Sequence, residues 1–133
     1  MASELRVNTL KDASGNNSIA TSVVSNGSAK AWISFDGSAG TPAAIDSFGT
    51  STLTDNGTGD QSQTLTSAMS NADYIHSGSA GVNDGSGSAV SLRNYGYNTA
   101  RTQSTTVYNI NTAYDNSNAI NSYVVSVVHG ELA

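Results

Sequence analysis

The chain has no cysteine, one proline and very few charges. Without thiols there are no disulfide staples and no thiolate metal sites, and the fold must hold by packing and hydrogen bonding alone. Charged residues make up 11% of the chain, against about a quarter in an ordinary soluble domain. Its five Lys and Arg are scattered at Arg6, Lys11, Lys30, Arg93 and Arg101, with a net charge of −5. A phosphate-tracking surface needs clustered cations, so nucleic acid is not an expected partner. The same scatter argues against docking on an anionic membrane. No run approaches the ~20 apolar residues of a membrane-spanning helix. The first residues, Met1 to Arg6, lack the apolar centre of a secretion signal.

Catalytic constellations are equally scarce. The two histidines, His76 and His129, fall far apart in expected strands, where a partly buried or strand-end imidazole is the ordinary role. Asp55 and Asp60 flank a tight turn without the spaced oxygen ladder that calcium requires. No Gly-x-Ser-x-Gly elbow is present, and Gly85-Ser86-Gly87-Ser88 follows no βαβ pattern. The expectation is a non-enzymatic protein with no metal and no cofactor.

Ser, Thr, Asn and Gly fill the space left by charge. Thr favours a pleated surface, and Asn, Asp and Gly accept left-handed turn geometry. From Ala29 the pattern has period two: Ala29, Ala31, Ile33 and Phe35 share one face, and Lys30, Trp32, Ser34 and Asp36 the other. Further strands are expected over Ile45–Thr54, Gln61–Thr66, Tyr74–Ala80, Ala89–Asn94, Thr102–Ile110 and Tyr123–His129. Asn56-Gly57 between two Thr-rich runs reads as a primed hairpin turn. Thr112–Asn121 reads as a loop with at most one helical turn. The expected fold is all-β, an antiparallel β-sandwich or jelly-roll-like domain of about seven or eight short strands spanning residues 29–133.

Residues 1–28 are too poor in large apolar groups to build a core. They read as an extended N-terminal arm lying on a neighbouring subunit or a larger assembly, with Leu5, Val7 and Leu10 as the docking candidates. Trp32 points away from the Ile33–Phe35 face, which suits either a strand buried on both sides or a subunit contact. Asn56, Asp60, Tyr95 and Tyr97 fall on expected loops and are candidates for surface recognition.

An ordered set of motifs gives these features a common context. Val7-Asn8-Thr9-Leu10-Lys11-Asp12-Ala13-Ser14-Gly15-Asn16-Asn17 resembles the opening of tail-fibre-type proteins of marine tailed phages, including phages of cyanobacteria. Ala29-Lys30-Ala31-Trp32-Ile33-Ser34-Phe35-Asp36-Gly37 is similar to their Lys-Ala-Trp-x-x-Phe-x-Gly signature. Ile45–Ser51, Thr54–Asp60, Ala68–Tyr74 and Val127–Leu132 continue the likeness in the same order. Gln61-Ser62-Gln63-Thr64-Leu65-Thr66 departs from it, standing where those proteins carry a more apolar alternation. The resemblance implies a virion structural protein, assembled in the host cytoplasm and released by lysis. It implies a homotrimer that contacts other virion proteins through its arm and a host-surface glycan or protein through its loops. Two alternatives accompany it. One is a capsid or tail decoration protein, suggested by the lack of a shaft or heptads; the other is a carbohydrate-binding module, suggested by Tyr95 and Tyr97.

Overall fold

The structure is a computed structural model that describes residues 6–38, 41–81, 91–93, 103–113 and 120–133. It is an all-β sandwich preceded by a small hairpin and one short helix. The hairpin pairs β1 (Thr9–Lys11) with β2 (Ser18–Ala20), and α1 (Thr21–Gly27) follows it. The sandwich strands are β3 (Ala29–Asp36), β4 (Ala43–Phe48), β5 (Thr50–Gly57), β6 (Asp60–Leu65), β7 (Ile75–Gly81), β8 (Ser91–Arg93), β9 (Val107–Ala113) and β10 (Tyr123–His129). They form two four-stranded sheets, ordered β4-β3-β10-β7 and β5-β6-β9-β8. Every neighbouring pair is antiparallel.

Alternation decides which side chains meet between the sheets. β3 contributes Ala31, Ile33 and Phe35, β10 contributes Val124 and Val128, and β9 contributes Tyr108 and Ile110, all buried. Leu65, Met69 and Tyr74 complete this cluster. The Tyr74 hydroxyl donates to the Val107 carbonyl at 3.1 Å, so the ring is buried while its polar tip is satisfied. The C-terminal residues are pinned beside it by an isolated bridge between Met69 and Leu132. Gly49 turns the chain from one sheet to the other with φ +68. A Cβ there would run into the Lys30 carbonyl and Ala31, so only glycine suits the crossing.

The interior is less apolar than the strand pattern predicts. Gln61 and Gln63 face inward from β6 and are each 1% exposed. Gln63 Nε2 donates to the Thr64 carbonyl at 3.2 Å, but its Oε1 has no partner. A buried amide oxygen without a partner carries its desolvation cost unrelieved. Gln63→Met keeps the shape and removes both polar atoms. It is expected to raise stability by about 1–2 kcal/mol, read as a higher midpoint in urea at unchanged slope.

Tyr108 pairs with Gln63 across the β6–β9 ladder and meets His76 edge-to-face, with ring centroids 5.1 Å apart. Burial pushes its phenol up to about 12 from the ordinary 10. Ser126 lies close enough to offset part of that rise, although neither hydroxyl reaches full hydrogen-bond geometry. Above pH 10 the unfolded chain gives up this proton while the folded chain keeps it, so stability falls as pH rises. The contribution is complete below pH 10 and is lost through about pH 12. Relative to Tyr108→Phe, the wild-type chain is expected to lose up to about 3 kcal/mol across that window, measured by denaturant titrations at successive pH values.

Five expectations change. The arm is not simply extended: it folds into the β1–β2 hairpin and α1, and Thr21 at the start of the helix is tied back across the hairpin, its N–H and hydroxyl both reaching the Asn8 carbonyl and its hydroxyl also the Val7 carbonyl. The β5–β6 turn falls at Thr58-Gly59 rather than Asn56-Gly57, because the Asp55 carboxylate takes the Gly57 N–H and bulges the strand end. Gly59 supplies the positive φ, +65. The ninth strand begins at Val107, five residues later than Thr102. It runs through Thr112 and Ala113, which were expected in a loop. The run Ile45–Thr54 is broken at Gly49, with β4 ending at Phe48 in one sheet and β5 beginning at Thr50 in the other. Of the expected strand Ala89–Asn94, residues 91–93 form β8, and the other positions lie outside the described residues.

Candidate functional site

The two sheets turn very different outer faces to their surroundings. On the β5-β6-β9-β8 sheet, the outward positions of the three longer strands carry hydroxyls, an amide and a carboxylate, with Thr54, Ser62 and Asn109 in one row and Asp60 opening the next beside the buried Asn111. On the β4-β3-β10-β7 sheet, one row across the strands reads Phe48, Trp32, Val127, Ser77. The next reads Asp46, Ser34, Val125, Ser79, and a third Ala43, Asp36, Tyr123, Gly81. Ile75 lies opposite His129 at the end of the sheet.

That second face carries an apolar block, Phe48, Trp32, Val127 and Val125, that no described residue covers. Phe48 is 58% exposed, Val125 52% and Ile75 65%. Trp32 and Val127 are half-buried by their neighbours in the sheet, and Tyr123 is exposed. An isolated apolar side chain on a surface is ordinary, but a contiguous block on one sheet face marks an interaction surface. Two carboxylates border it. Asp36 is engaged by the Ser38 N–H and hydroxyl. It also takes a hydrogen bond from its cross-strand neighbour Tyr123; that bond and the Asp36 charge raise the Tyr123 phenol above its ordinary value. The Asp46 carboxylate accepts from the Ser47 N–H at 2.8 Å.

Residues 6–20 and 22–28 form a second uncovered region, every one of them exposed. The hairpin turn is held by Asp12, whose carboxylate accepts from the Asn16 N–H at 3.0 Å and the Asn17 side chain at 2.7 Å. Slight desolvation works upward on this carboxyl, but the bonds from Asn17, Asn16 and Ser14 outweigh it and hold it below its ordinary value. Leu10 and Ile19 are register partners. With Lys11, Asp12, Asn17 and Ser18 they line a shallow depression of about 250 Å³. Val7, Val23 and Val24 add further exposed apolar surface within residues 6–28.

The site residues expected from sequence therefore separate into groups. Val7 and Leu10 lie in the exposed arm, and Trp32 lies at the centre of the apolar sheet face. Asn56 is near the end of β5, with its side chain donating to the Ser62 hydroxyl. Asp60 opens β6 and accepts from Asn109, so both stand on the polar sheet rather than in an open loop. Leu5, Tyr95 and Tyr97 lie outside the described residues. Val125, Val127, Tyr123 and Phe48 were not singled out from sequence. The signal was present in Tyr123–His129, whose residues alternate between core and outer face with valine on both sides.

Among the described residues no three His, Asp or Glu side chains converge in a manner suited to a metal ion. No helix among them is long and apolar enough to cross a membrane. No family model, curated protein or solved structure matches the chain.

Proposed function

We propose that this protein is a structural component of a tailed-phage virion, a tail-fibre-type module that works as a homotrimer. In this reading one sheet face makes the contact between copies, the arm joins the module to the assembly, and the polar sheet with its loops faces outward to the host surface. The chemistry is binding and assembly, without catalysis. The observation that carries the assembly role is the contrast between the sandwich faces. The row Phe48–Trp32–Val127 is apolar and uncovered, whereas Thr54–Ser62–Asn109 is hydroxyl and amide. A soluble chain with 11% charged residues has little ionic surface to keep such a face apart from its own copies, and burying it between subunits adds core that a small domain lacks. The virion context rests on the ordered motifs from Val7 to Leu132 that resemble phage tail-fibre proteins.

The test is the location of the protein in an electron-microscopy map of the particle. A few dozen copies or fewer, on the tail, are expected. Hundreds of copies distributed over the head would replace the fibre reading with a decoration protein. Absence from purified particles would overturn both.

A further inference from the structure

The chain contains two Asn-Gly pairs, Asn26-Gly27 at the end of α1 and Asn56-Gly57 at the end of β5, and all four residues are exposed. An asparagine followed by glycine is open to cyclisation, because no side chain shields the following backbone nitrogen. We propose that Asn26-Gly27 is a self-modification site, at which the asparagine converts to aspartate and isoaspartate, whereas Asn56-Gly57 is held unreactive by its neighbours. The proposal is independent of the virion reading.

The chemistry needs only water. The Gly27 backbone nitrogen attacks the side-chain carbonyl carbon of Asn26 and forms a five-membered imide. The carboxamide nitrogen leaves as ammonia, carrying the proton that the Gly27 nitrogen gives up. Water then opens the imide at either carbonyl. Opening at the side-chain carbonyl gives aspartate, and opening at the main-chain carbonyl gives isoaspartate. Nothing is oxidised or reduced.

At Asn56 both reacting groups are tied. The Gly57 N–H donates to the Asp55 carboxylate at 3.0 Å, a charge-assisted bond. A negative charge beside that nitrogen opposes the loss of its proton. The Asn56 side chain donates to the Ser62 hydroxyl on β6, and Gly57 is fixed in register with Asp60. At Asn26 no described hydrogen bond holds the carboxamide, and α1 contains no carboxylate. Helical pairing restrains the Gly27 N–H, but α1 has seven residues and none of them is buried. A helix that short is marginal without packing, so its last turn opens readily. The Lys30 ammonium is bonded to the Ser25 carbonyl and to the Ser28 hydroxyl. A cation one peptide from Asn26 favours the negative charge that develops as the Gly27 nitrogen attacks.

The product disturbs the helix that made it. A new carboxylate at position 26 stands at the C-terminal end of α1, where the helix dipole disfavours it. Isoaspartate also adds a methylene to the main chain. Because α1 lies between the hairpin and β3, conversion loosens the join between arm and sandwich as the protein ages.

The test holds the full-length chain in mildly alkaline buffer and maps its peptides by mass spectrometry, with enzymatic methylation to report isoaspartate and circular dichroism to verify the fold. Conversion at Asn26 is expected to run at least about tenfold faster than at Asn56. Gly27→Ala adds a Cβ that meets nothing within 4 Å and is expected to slow Asn26 by roughly tenfold, leaving Asn56 unchanged. Asp55→Ser keeps an uncharged acceptor for the Gly57 N–H, and Asp55→Ala removes it. Conversion at Asn56 is expected to rise in that order, by roughly tenfold in Asp55→Ala. A chain unfolded in urea is expected to convert both sites at similar rates. Folded wild-type chain that converts Asn56 as fast as Asn26 would overturn the proposal. So would an Asn26 that stays intact in the folded chain while the urea-unfolded chain converts. No rise at Asn56 in either Asp55 variant would overturn the protection assigned to that carboxylate.

Discussion

Val125→Asp is expected to convert the proposed trimer into a folded monomer. Val125 projects from β10, an interior strand, between Ser34 and Ser79 and one row from Trp32 and Val127. At 52% exposure in the single chain it contributes little to the sandwich interior. An aspartate there costs the monomer at most about 1 kcal/mol of strand preference. Within an interface the same carboxylate would be taken out of water on an apolar face already bordered by Asp46 and Asp36, with the penalty of an unpaired buried charge. The effect should therefore fall on association and hardly at all on folding. The expected readings are a threefold drop in mass and a thermal transition that no longer depends on protein concentration. A conservative Val125→Ile at the same position should leave the mass unchanged.

Phe35→Ala is expected to act in the opposite way, through the fold itself. Phe35 is fully buried, pairs with Val124 and Ala44 in its sheet, and its ring lies against Gly37 at the end of β3. Gly37 in turn donates its N–H to the Ser122 carbonyl at 2.9 Å, fixing the approach to β10. Truncation removes the largest wholly apolar side chain of the interior and leaves a cavity between the sheets. The loss is expected to be about 3–5 kcal/mol, which for a small domain is a large share of its total stability. Chemical denaturation should show a large shift of the midpoint, or a chain already unfolded in water. Any loss of association in this variant would follow from unfolding, which separates it from Val125→Asp, where secondary structure persists.

Much of the sandwich was legible in the sequence wherever one face is apolar and the other polar. β3 is the clearest case, since Ala31, Ile33 and Phe35 alternate with Lys30, Trp32 and Ser34 and the burial follows that pattern. The β5–β6 hairpin was also visible, but its turn was displaced by two residues. Asn56-Gly57 is a strong turn signal, yet the Asp55 side chain competes for the Gly57 N–H and Gly59 offers a second left-handed position. Helix α1 left little trace because Thr, Ser and Val are indifferent helix formers, and no residue of it is buried to impose a 3.6-residue period. β6 misled in another way: Gln61 and Gln63 read as a polar strand but lie in the core.

The candidate site was only partly legible for the same physical reason. Trp32 stood out as a large side chain on the polar side of an alternating strand. Its neighbours did not, because Phe48, Val127 and Val125 come from β4 and β10, and only the antiparallel register brings them beside it. A single strand shows which residues share a face; whether that face is apolar as a whole depends on pairing between strands distant in sequence. The arm is the converse case, since its apolar residues were plain but the hairpin that presents Leu10 opposite Ile19 was not.

The central claim is that the β4-β3-β10-β7 face is a contact between copies. Multi-angle light scattering of the full-length chain at micromolar concentration tests it most directly. The account predicts a single species of three times the 13.6 kDa chain mass, falling to one chain mass for Val125→Asp. A wild-type protein that runs as a 13.6 kDa monomer under those conditions would contradict it.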